Sequence, residues 1–409
     1  MDAAPSRPFR LPLLVTVALL GFSSGIPLNL TGSTLQAWMQ NAGVNLKTIG
    51  FFSLAGLPYA CKFLWSPIMD RYCPPLLGRR RGWLLLTLAA AMAALALLGQ
   101  SSPGANLERV ALLAVAVAFA SASVDINVDA YRTELLPERL LGLGTWLGIN
   151  SYRLGMVYGG ALALFLADRM SWRAVYLVMA LGLLPGALAS LLAPAPPDLG
   201  APRTIREAAT RPFLEFLRRR RALELLAFIL LYKLGDNLCV ALNTVFLLGL
   251  GFSKTEIGVA NKIVGMAFLI GGGLVGAVLM RRWSLRRSLW VFGVLQMVCM
   301  GGHLALALAG RSHALLLVTV AVENSIFAMG AVAYVALIQR CCNLQNAATQ
   351  FALLTSLSAL ARVLFASPAG VLASALGWPA YFLFCMAAAI PGLLLLRRFD
   401  SWELPSHTA

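Results

Sequence analysis

Apolar stretches of about 20 residues recur along the whole chain, separated by short polar turns, and each is long enough as a helix to cross roughly 30 Å of hydrocarbon. Twelve such stretches follow one another, at approximately Leu11 to Met39, Lys47 to Met69, Trp83 to Gly99, Arg109 to Tyr131, Gly142 to Ala167, Arg173 to Ala193, Ala222 to Leu250, Lys254 to Met280, Ser288 to Ala309, Ala314 to Gln339, Ala347 to Ala375 and Pro379 to Leu396. Hydrophobic residues make up 59% of the 409 positions and charged residues 12%. One soluble core could not hide that much apolar surface, so the pattern predicts an all-α polytopic membrane protein with the bilayer as its solvent. Arg7 and Arg10 precede the first stretch, which has no clear small-residue cleavage site and continues through polar Asn29 and Gln36; it reads as a retained first helix rather than a secretory signal.

The charge is unevenly placed. Arg7, Arg10, Arg71, Arg79 to Arg81, Arg132, Arg139, the arginines between Arg203 and Arg221, Arg281 to Arg287, Arg340, Arg397 and Arg398 fall on one side, against Lys47, Arg109, Arg169, Arg173, Lys254 and Arg311 on the other. The positive-inside rule then puts both termini and the central loop in the cytoplasm. The formal net charge of +16 is thereby a topology signal, with membrane lipids rather than nucleic acid as the expected partner.

The longest loop, residues 194–221, is Pro-rich and then Arg-rich, and it divides the chain into a half of six spans at residues 1–193 and a second half at residues 222–409. The halves resemble each other: Leu166 to Tyr176 lines up with Leu372 to Tyr381 around Trp172 and Trp378, Pro185-Gly186 falls on Pro391-Gly392 at the same offset, and Lys47-Thr-Ile-Gly50 matches Lys254-Thr-Glu-Ile-Gly258 at nearly that offset. Two six-helix halves in parallel repeat, 12 transmembrane helices in all, are the major facilitator architecture, which holds its substrate between the halves near the midplane.

The turn after the second span supports that fold. Asp70-Arg71 followed by Gly78-Arg79-Arg80-Arg81-Gly82 resembles the signature cytoplasmic loop of that superfamily, in which the acid at the end of helix two pairs with bases in one conformational state. Such a cluster can latch an inner gate, because ion pairs that break when the halves rock bias a two-state equilibrium. The alternative for any one of these arginines is a purely topological role at the lipid phosphates. Asp70 has no topological use and is the stronger gate candidate. The counterpart after span eight, Met280 to Arg287, keeps the bases and loses the acid.

Ionisable groups inside the spans are expensive, roughly 2.5–3.5 kcal/mol each on insertion scales, and by default mark function. Lys62, Arg153, Lys233, Lys262 and Arg362 lie there, as do Asp125, Asp129, Asp236 and Glu323, with Gln36, Asn127, Asn237, Asn243, Asn261, Asn324 and Gln350. Together they predict a large polar cavity of mixed charge for a sizeable solute bearing carboxylates, amides and hydroxyls. Lys233 with Asp236, and Asp129 with Arg132, are three residues apart on one helix face, so each pair can be an internal ion pair. Asp125 has no basic partner one turn away, and Arg153 or Lys62 from neighbouring spans is its expected counter-ion. Burial disfavours a carboxylate and a nearby cation favours it, so Asp125, with Asp129 beside it, is the candidate proton-coupling group.

Gly21-Phe-Ser-Ser-Gly-Ile-Pro27, Thr34-Leu-Gln-Ala-Trp-Met39, Lys47-Thr-Ile-Gly-Phe-Phe52, Lys62-Phe-Leu-Trp-Ser-Pro-Ile-Met-Asp-Arg71, Gly78-Arg-Arg-Arg-Gly-Trp83, Tyr232-Lys-Leu-Gly-Asp236 and Ala348-Thr-Gln-Phe-Ala-Leu-Leu354 together resemble the AmpG-type muropeptide permeases. The resemblance runs from about Gly21 to Leu395 and touches nearly every span. It implies an importer of anhydromuropeptides, with or without their peptide, across the cytoplasmic (inner) membrane during peptidoglycan recycling, driven by protons and linked to induction of chromosomal β-lactamase. The family's fourth span often reads Gln-Asp-Ile, whereas Val124 precedes Asp125 here, which puts in doubt any substrate contact at that position. Related acetyl-CoA transporters share a similar fourth-span pattern, so an acetyl-CoA or other polar-solute carrier is the alternative.

For binding itself the candidates are Gln36, Lys62, Asn127, Arg153, Lys233, Asp236, Asn237, Lys262, Gln350 and Arg362, with Lys233 or Arg362 for substrate carboxylates and Gln36 and Gln350 for amides. Seven cysteines show no metal-ligand or redox spacing, and no cofactor or metal is expected. His303 is a lone histidine in span nine and reads as a helix-packing group. Gly271-Gly-Gly-Leu-Val-Gly276 follows no strand, which leaves close helix packing as its use. No hydrolytic set of side chains stands out, and the short loops opposite the basic side argue against a polytopic membrane enzyme. The expected working unit is a monomer.

Overall fold

A computed structural model of the chain describes residues 10–75, 77–196, 204–366 and 368–402. Among the described residues every regular element is a helix. Among the described residues nine helical stretches are long and apolar enough to cross a membrane, and they coincide with the first, third, fourth, sixth to tenth and twelfth of the expected spans. The remaining three are helical but chemically or geometrically interrupted. The second is cut into short pieces from Leu46–Phe51 to Ser66–Arg71, with Pro58 and Pro67 each at the start of a new piece, where a missing N–H is harmless. The fifth runs as Leu141–Val157, a π-turn at Tyr158–Leu162 and Ala163–Ala167. The eleventh is Ala347–Ala366 followed by Ala369–Leu376.

Several spans predicted as single helices are broken, and the breaks carry polar side chains. The first divides at Gly32 into Arg10–Thr31 and Ser33–Asn41. The seventh consists of Ala222–Leu231, Leu234–Ala241 and Asn243–Gly249, with Lys233 at one break and Asn243 opening the last piece. The eighth has a π-turn at Val259–Val264, which contains Asn261 and Lys262. Backbone groups freed at such breaks need other partners, so discontinuous helices persist at membrane depth where protein or water supplies them. Elsewhere the starts are capped locally: Asn106, Ser171 and Ser284 accept from the backbone N–H three residues on, opening the fourth, sixth and ninth spans.

The chain forms two compact units. The first comprises Met1–Leu136, Leu147–Pro212 and Cys342–Leu353; the second comprises Pro137–Trp146, Phe213–Cys341 and Leu354–Ala409. Neither is a contiguous half of the sequence. The first unit takes in the start of the eleventh span, and the second takes in the start of the fifth. Of the central loop, residues 197–203 lie outside the described residues, and Ile205–Arg218 is helical.

In the first unit the first span lies directly on the fifth. A Cβ on Gly25 would sit 2.0 Å from the Tyr152 carbonyl oxygen, and one on Gly155 2.0 Å from that of Phe22, so only glycine permits this approach. Polar groups fasten the seam: Asn29 Nδ2 donates to Met156 O at 2.7 Å, and Thr34 Oγ1 to Gly159 O at 2.8 Å. The second unit uses the Gly271 to Gly276 run in the same way. A Cβ on Gly272 would fall 2.3 Å from Ser325 Cα, and one on Gly276 2.8 Å from Met329 Cα, so the eighth span packs tightly on the tenth as the glycine run predicted. Around Phe246, Phe382, Tyr381 and Leu306 the second unit closes an aromatic and aliphatic core.

Candidate functional site

Three groups of side chains converge, two in the first unit and one in the second. The first is built on the turn after span two. Leu77 and Gly78 both take left-handed backbone, with φ of 66° and 76°, and reverse the chain so that Arg79 and Arg80 come back against Asp70. Asp70 is fully buried. Its Oδ1 accepts from the Arg80 guanidinium at 2.6 Å, and the same guanidinium donates to Glu134 Oε1 at 2.6 Å from NH2 and 2.7 Å from Nε. The other Asp70 oxygen accepts from Thr349 N at 2.8 Å and Thr349 Oγ1 at 2.6 Å. Thr349 lies in the first turn of the helix Ala347–Ala366, whose leading N–H groups have no partner within their own helix. Asp70 thus caps the eleventh span from the second, where the helix dipole also favours a negative charge. Arg79 adds donors to Glu134 Oε1 at 3.4 Å and to the Asp70 and Gln345 carbonyls at 3.2 Å.

This cluster contains the predicted Asp70, Arg79 and Arg80. Arg81 points elsewhere, with Nε donating to Ser190 O at 3.0 Å and NH2 to Leu191 O, and Arg71 lies over the Tyr72 ring at 5.4 Å. Glu134 and Thr349 belong to the cluster and were not identified from sequence. Glu134 ends the fourth span only two residues after Arg132, where an acid reads as ordinary surface charge; its burial depends on Arg80 arriving from another helix.

The second group surrounds Asp125 and Asp129 on the fourth span, Leu107–Leu135. Arg132 NH2 donates to Asp129 Oδ1 at 2.9 Å, the expected pair one turn apart. Lys62 bonds Asp129 Oδ2 at 3.6 Å, while Asp125 Oδ1 accepts from the Ser24 hydroxyl. The expected direct partner of Asp125 is therefore corrected: Lys62 binds the other aspartate, and among the described residues Arg153 makes no ion pair. Lys62 and Asp129 still act on Asp125 through their charge, and Tyr59 and Tyr152 lie within reach of its field. Arg132 crosses directly over Gly148, where a Cβ would meet NH1 at 2.5 Å, and its guanidinium stands 6.0 Å from the Phe351 ring.

Two amides proposed for ligand contact are engaged inside the first unit. Asn127 is fully buried, with Nδ2 donating to Ser123 O at 2.8 Å and lying 3.0 Å from Met69 Sδ. Gln350 is 1% exposed; its Oε1 accepts from Asn343 N at 2.6 Å and its Nε2 donates to Pro212 O at 3.2 Å. Both amides hold backbone in place. Gln36 is partly exposed and remains on the first span's second piece.

The third group lies in the second unit. Lys233 and Asp236 form the expected pair at 2.9 Å, with the Lys233 ammonium 4.5 Å from the Phe327 ring centre. Asn237 is the next residue along and partly exposed. A cavity of about 440 Å³ is lined by Asn243, Thr244, Asn261, Glu323, Asn324 and Phe327 among others. Behind Glu323, His303 places Nε2 3.6 Å from Glu323 Oε2 and 3.2 Å from Asn243 Oδ1, and Nδ1 3.7 Å from Cys239 Sγ. The lone histidine predicted to be packing is thus joined to an acid, an amide and a thiol. The side chains of Lys262 and Arg362 lie outside the described residues.

The helices, their glycine-mediated packing and the buried acids at membrane depth define a secondary transporter of the Major Facilitator Superfamily, whose family model matches residues 17–366. The chain belongs to that superfamily and, within it, to the family of the AmpG-type anhydromuropeptide permeases. It is 46% identical over 399 residues to the anhydromuropeptide permease of Escherichia coli strain K12, covering 97% of this chain and 81% of that one. It is 30% identical to the putative transporter AmpG 4 of Rickettsia felis, covering 95% and 96% of the two chains. Its fold is similar to that of the transporter FucP, with a TM-score of 0.70 at 15% identity over 96% of this chain and 99% of that one. It is also similar to the proton:xylose symporter XylE, with a TM-score of 0.66 at 11% identity over 98% and 96%.

Proposed function

We propose that this chain imports anhydromuropeptides from the periplasm across the inner membrane in symport with protons, returning cell-wall fragments to the cytoplasm, with both termini cytoplasmic and no reaction catalysed on the way. The observation that carries the reading is the 46% identity to a permease of that substrate along nearly the whole chain. The cavity chemistry agrees with it. Asn243, Asn261 and Asn324 offer the donors and acceptors that N-acetyl groups and peptide amides require, and Phe327 offers a flat apolar face for a sugar ring. Lys233 can meet a substrate carboxylate by exchanging it for Asp236.

In this mechanism Asp125 carries the coupling proton. It stands at membrane depth, held by a hydroxyl rather than directly by a cation, while Lys62 and Arg132 are committed to Asp129. A carboxyl so placed changes protonation when its hydration changes, and a change of one pKa unit between two states exchanges about 1.4 kcal/mol with the conformational equilibrium. Asp70 acts as the inner latch: its bonds to Arg80 and Thr349 join segments distant in sequence and are lost together when those segments separate.

Uptake of labelled anhydromuropeptide into proteoliposomes under an imposed proton gradient tests the reading. We expect accumulation that follows the gradient and is competed by unlabelled ligand. Uptake indifferent to both would overturn it, and accumulation of labelled acetyl-CoA instead would move the chain to a different cargo.

A further inference from the structure

We propose that Arg153, on the fifth span, is the docking point in the first unit for a carboxylate of the ligand. The inference rests on the anhydromuropeptide reading above and deepens it, by giving one charged group of the cargo to one residue. Within Leu141–Val157, Arg153 stands roughly 18 Å from the helix start at 1.5 Å per residue, near the middle of a hydrocarbon core about 30 Å thick. From that depth an arginine head does not reach the lipid headgroups, so it must face protein or water.

The other described cations at this depth are committed. Lys62 bonds Asp129 at 3.6 Å, Arg132 bonds the same acid at 2.9 Å, and Lys233 bonds Asp236 at 2.9 Å. Arg153 differs from all three. It is half-buried, it makes no ion pair or side-chain hydrogen bond among the described residues, and no charged neighbour acts on it. A guanidinium has donors only, so keeping one at membrane depth is costly unless an anion meets it.

The packing of the fifth span leaves that head on an open side. Gly148 and Gly155 face the tight side: a Cβ on Gly155 would fall 2.0 Å from the Phe22 carbonyl oxygen, and one on Gly148 2.5 Å from Arg132 NH1. Arg153 lies two residues before Gly155, which puts it on the opposite face of the helix from this seam. Lipid does not solvate a guanidinium there, so the face is one that water and a polar solute reach.

The cargo supplies the matching group. A muramic acid derivative carries a carboxylate with or without its peptide, on the lactyl group of the bare sugar or at the end of the peptide. The planar guanidinium receives a carboxylate through two parallel N–H donors. A carboxylate arriving at Lys233 has to displace Asp236, whereas at Arg153 it displaces no described acid. Both partners are charged before and after they meet. No proton enters or leaves in this step, which leaves the coupling with Asp125.

The test compares the peptide-free disaccharide, N-acetylglucosamine joined to anhydro-N-acetylmuramic acid, with the same molecule whose carboxyl is converted to a carboxamide. Binding to the full chain in detergent is measured by calorimetry. The wild type should prefer the acid by roughly 10- to 100-fold in Kd, and Arg153→Gln should bind both forms alike, near the wild-type affinity for the amide. A merely structural arginine would weaken acid and amide equally, and that result overturns the proposal, as does a wild type indifferent to the change. Arg153→Lys keeps the charge without the fork and should retain only part of the preference; should Arg153→Gln not fold, an undiminished preference in Arg153→Lys overturns the proposal. If the wild type binds neither form, the import reading fails by itself. Thermal unfolding with N-acetylmuramic acid and its amide then decides the proposal: stabilisation by the acid alone is expected, lost in Arg153→Gln, and no difference between acid and amide overturns it.

Discussion

The fourth span, Leu107–Leu135, and the tenth, His313–Cys341, are each 29 residues long, yet they hold their acids in different ways. On the fourth, Asp129 and Glu134 are met by full positive charges, from Lys62 and Arg132 in one case and from Arg79 and Arg80 in the other. On the tenth, Glu323 is met by the His303 ring, whose same nitrogen also faces the Asn243 amide oxygen. Asp125 stands between these styles, bonded to a hydroxyl with the Lys62 charge nearby. Charge-paired acids depend strongly on their partner's presence, whereas a dipole-held acid depends on the hydration around it. The first arrangement suits a latch and the second suits a titrating group.

The largest effect is expected from Arg80→Ala. It leaves Asp70 and Glu134 buried, with Asp70 keeping only Thr349, and should destabilise the protein by about 3–5 kcal/mol, seen as a lower unfolding temperature in detergent and loss of transport. The same change at Arg340, whose partner Glu138 is 70% exposed, should be far milder. A smaller effect is expected for Asp70→Asn, which keeps the shape and removes the charge facing Arg80 and the helix start. Weakening two charge-assisted bonds by about 1.5–3 kcal/mol in total should slow transport while equilibrium binding of ligand stays near wild type; a normal transport rate would reduce the loop to a topology signal.

Asp125→Asn, a mimic of the protonated form, should abolish accumulation under a proton gradient yet preserve exchange of labelled for unlabelled ligand. The expected bias is about tenfold between the two states, for about 1.4 kcal/mol per pKa unit. A variant that still concentrates ligand would pass the role to Asp129, Asp236 or Glu323. Smallest of all, Glu138→Gln should change stability by only ~0.2–1 kcal/mol, because an exposed ion pair is screened and its side chains are mobile. A large loss there would show that the two helix ends are held more alike than their burial indicates.

Much of this site was legible in the chain. The pairs Lys233 with Asp236 and Asp129 with Arg132 follow from helical spacing, since residues three apart share a face. The closeness of Asp70 to Arg79 and Arg80 follows from a short turn. Gly272 and Gly276 could be assigned to helix packing because small residues four apart leave a groove. What could not be read were contacts between residues far apart in the chain: Glu134 with Arg80, Thr349 with Asp70, His303 with Glu323. Gln350 shows the converse, a polar residue in an apolar run that suggested a ligand contact and instead secures the backbone at Asn343 and Pro212.

The sequence alone establishes that the bilayer is the solvent, where the outer ends of the spans fall to within a few residues, and that several charges lie at membrane depth. Those are properties of local composition and of a period set by the backbone's own hydrogen bonds. Which charges meet was decided only by the tertiary structure. A partner is chosen by the packing of whole helices, and a glycine that lets two backbones approach, as at Gly25 and Gly155, moves every side chain beyond it. Lys62 could have reached either aspartate from its place in the sequence; the placement of the second span against the fourth gave it to Asp129 and left Asp125 to Ser24.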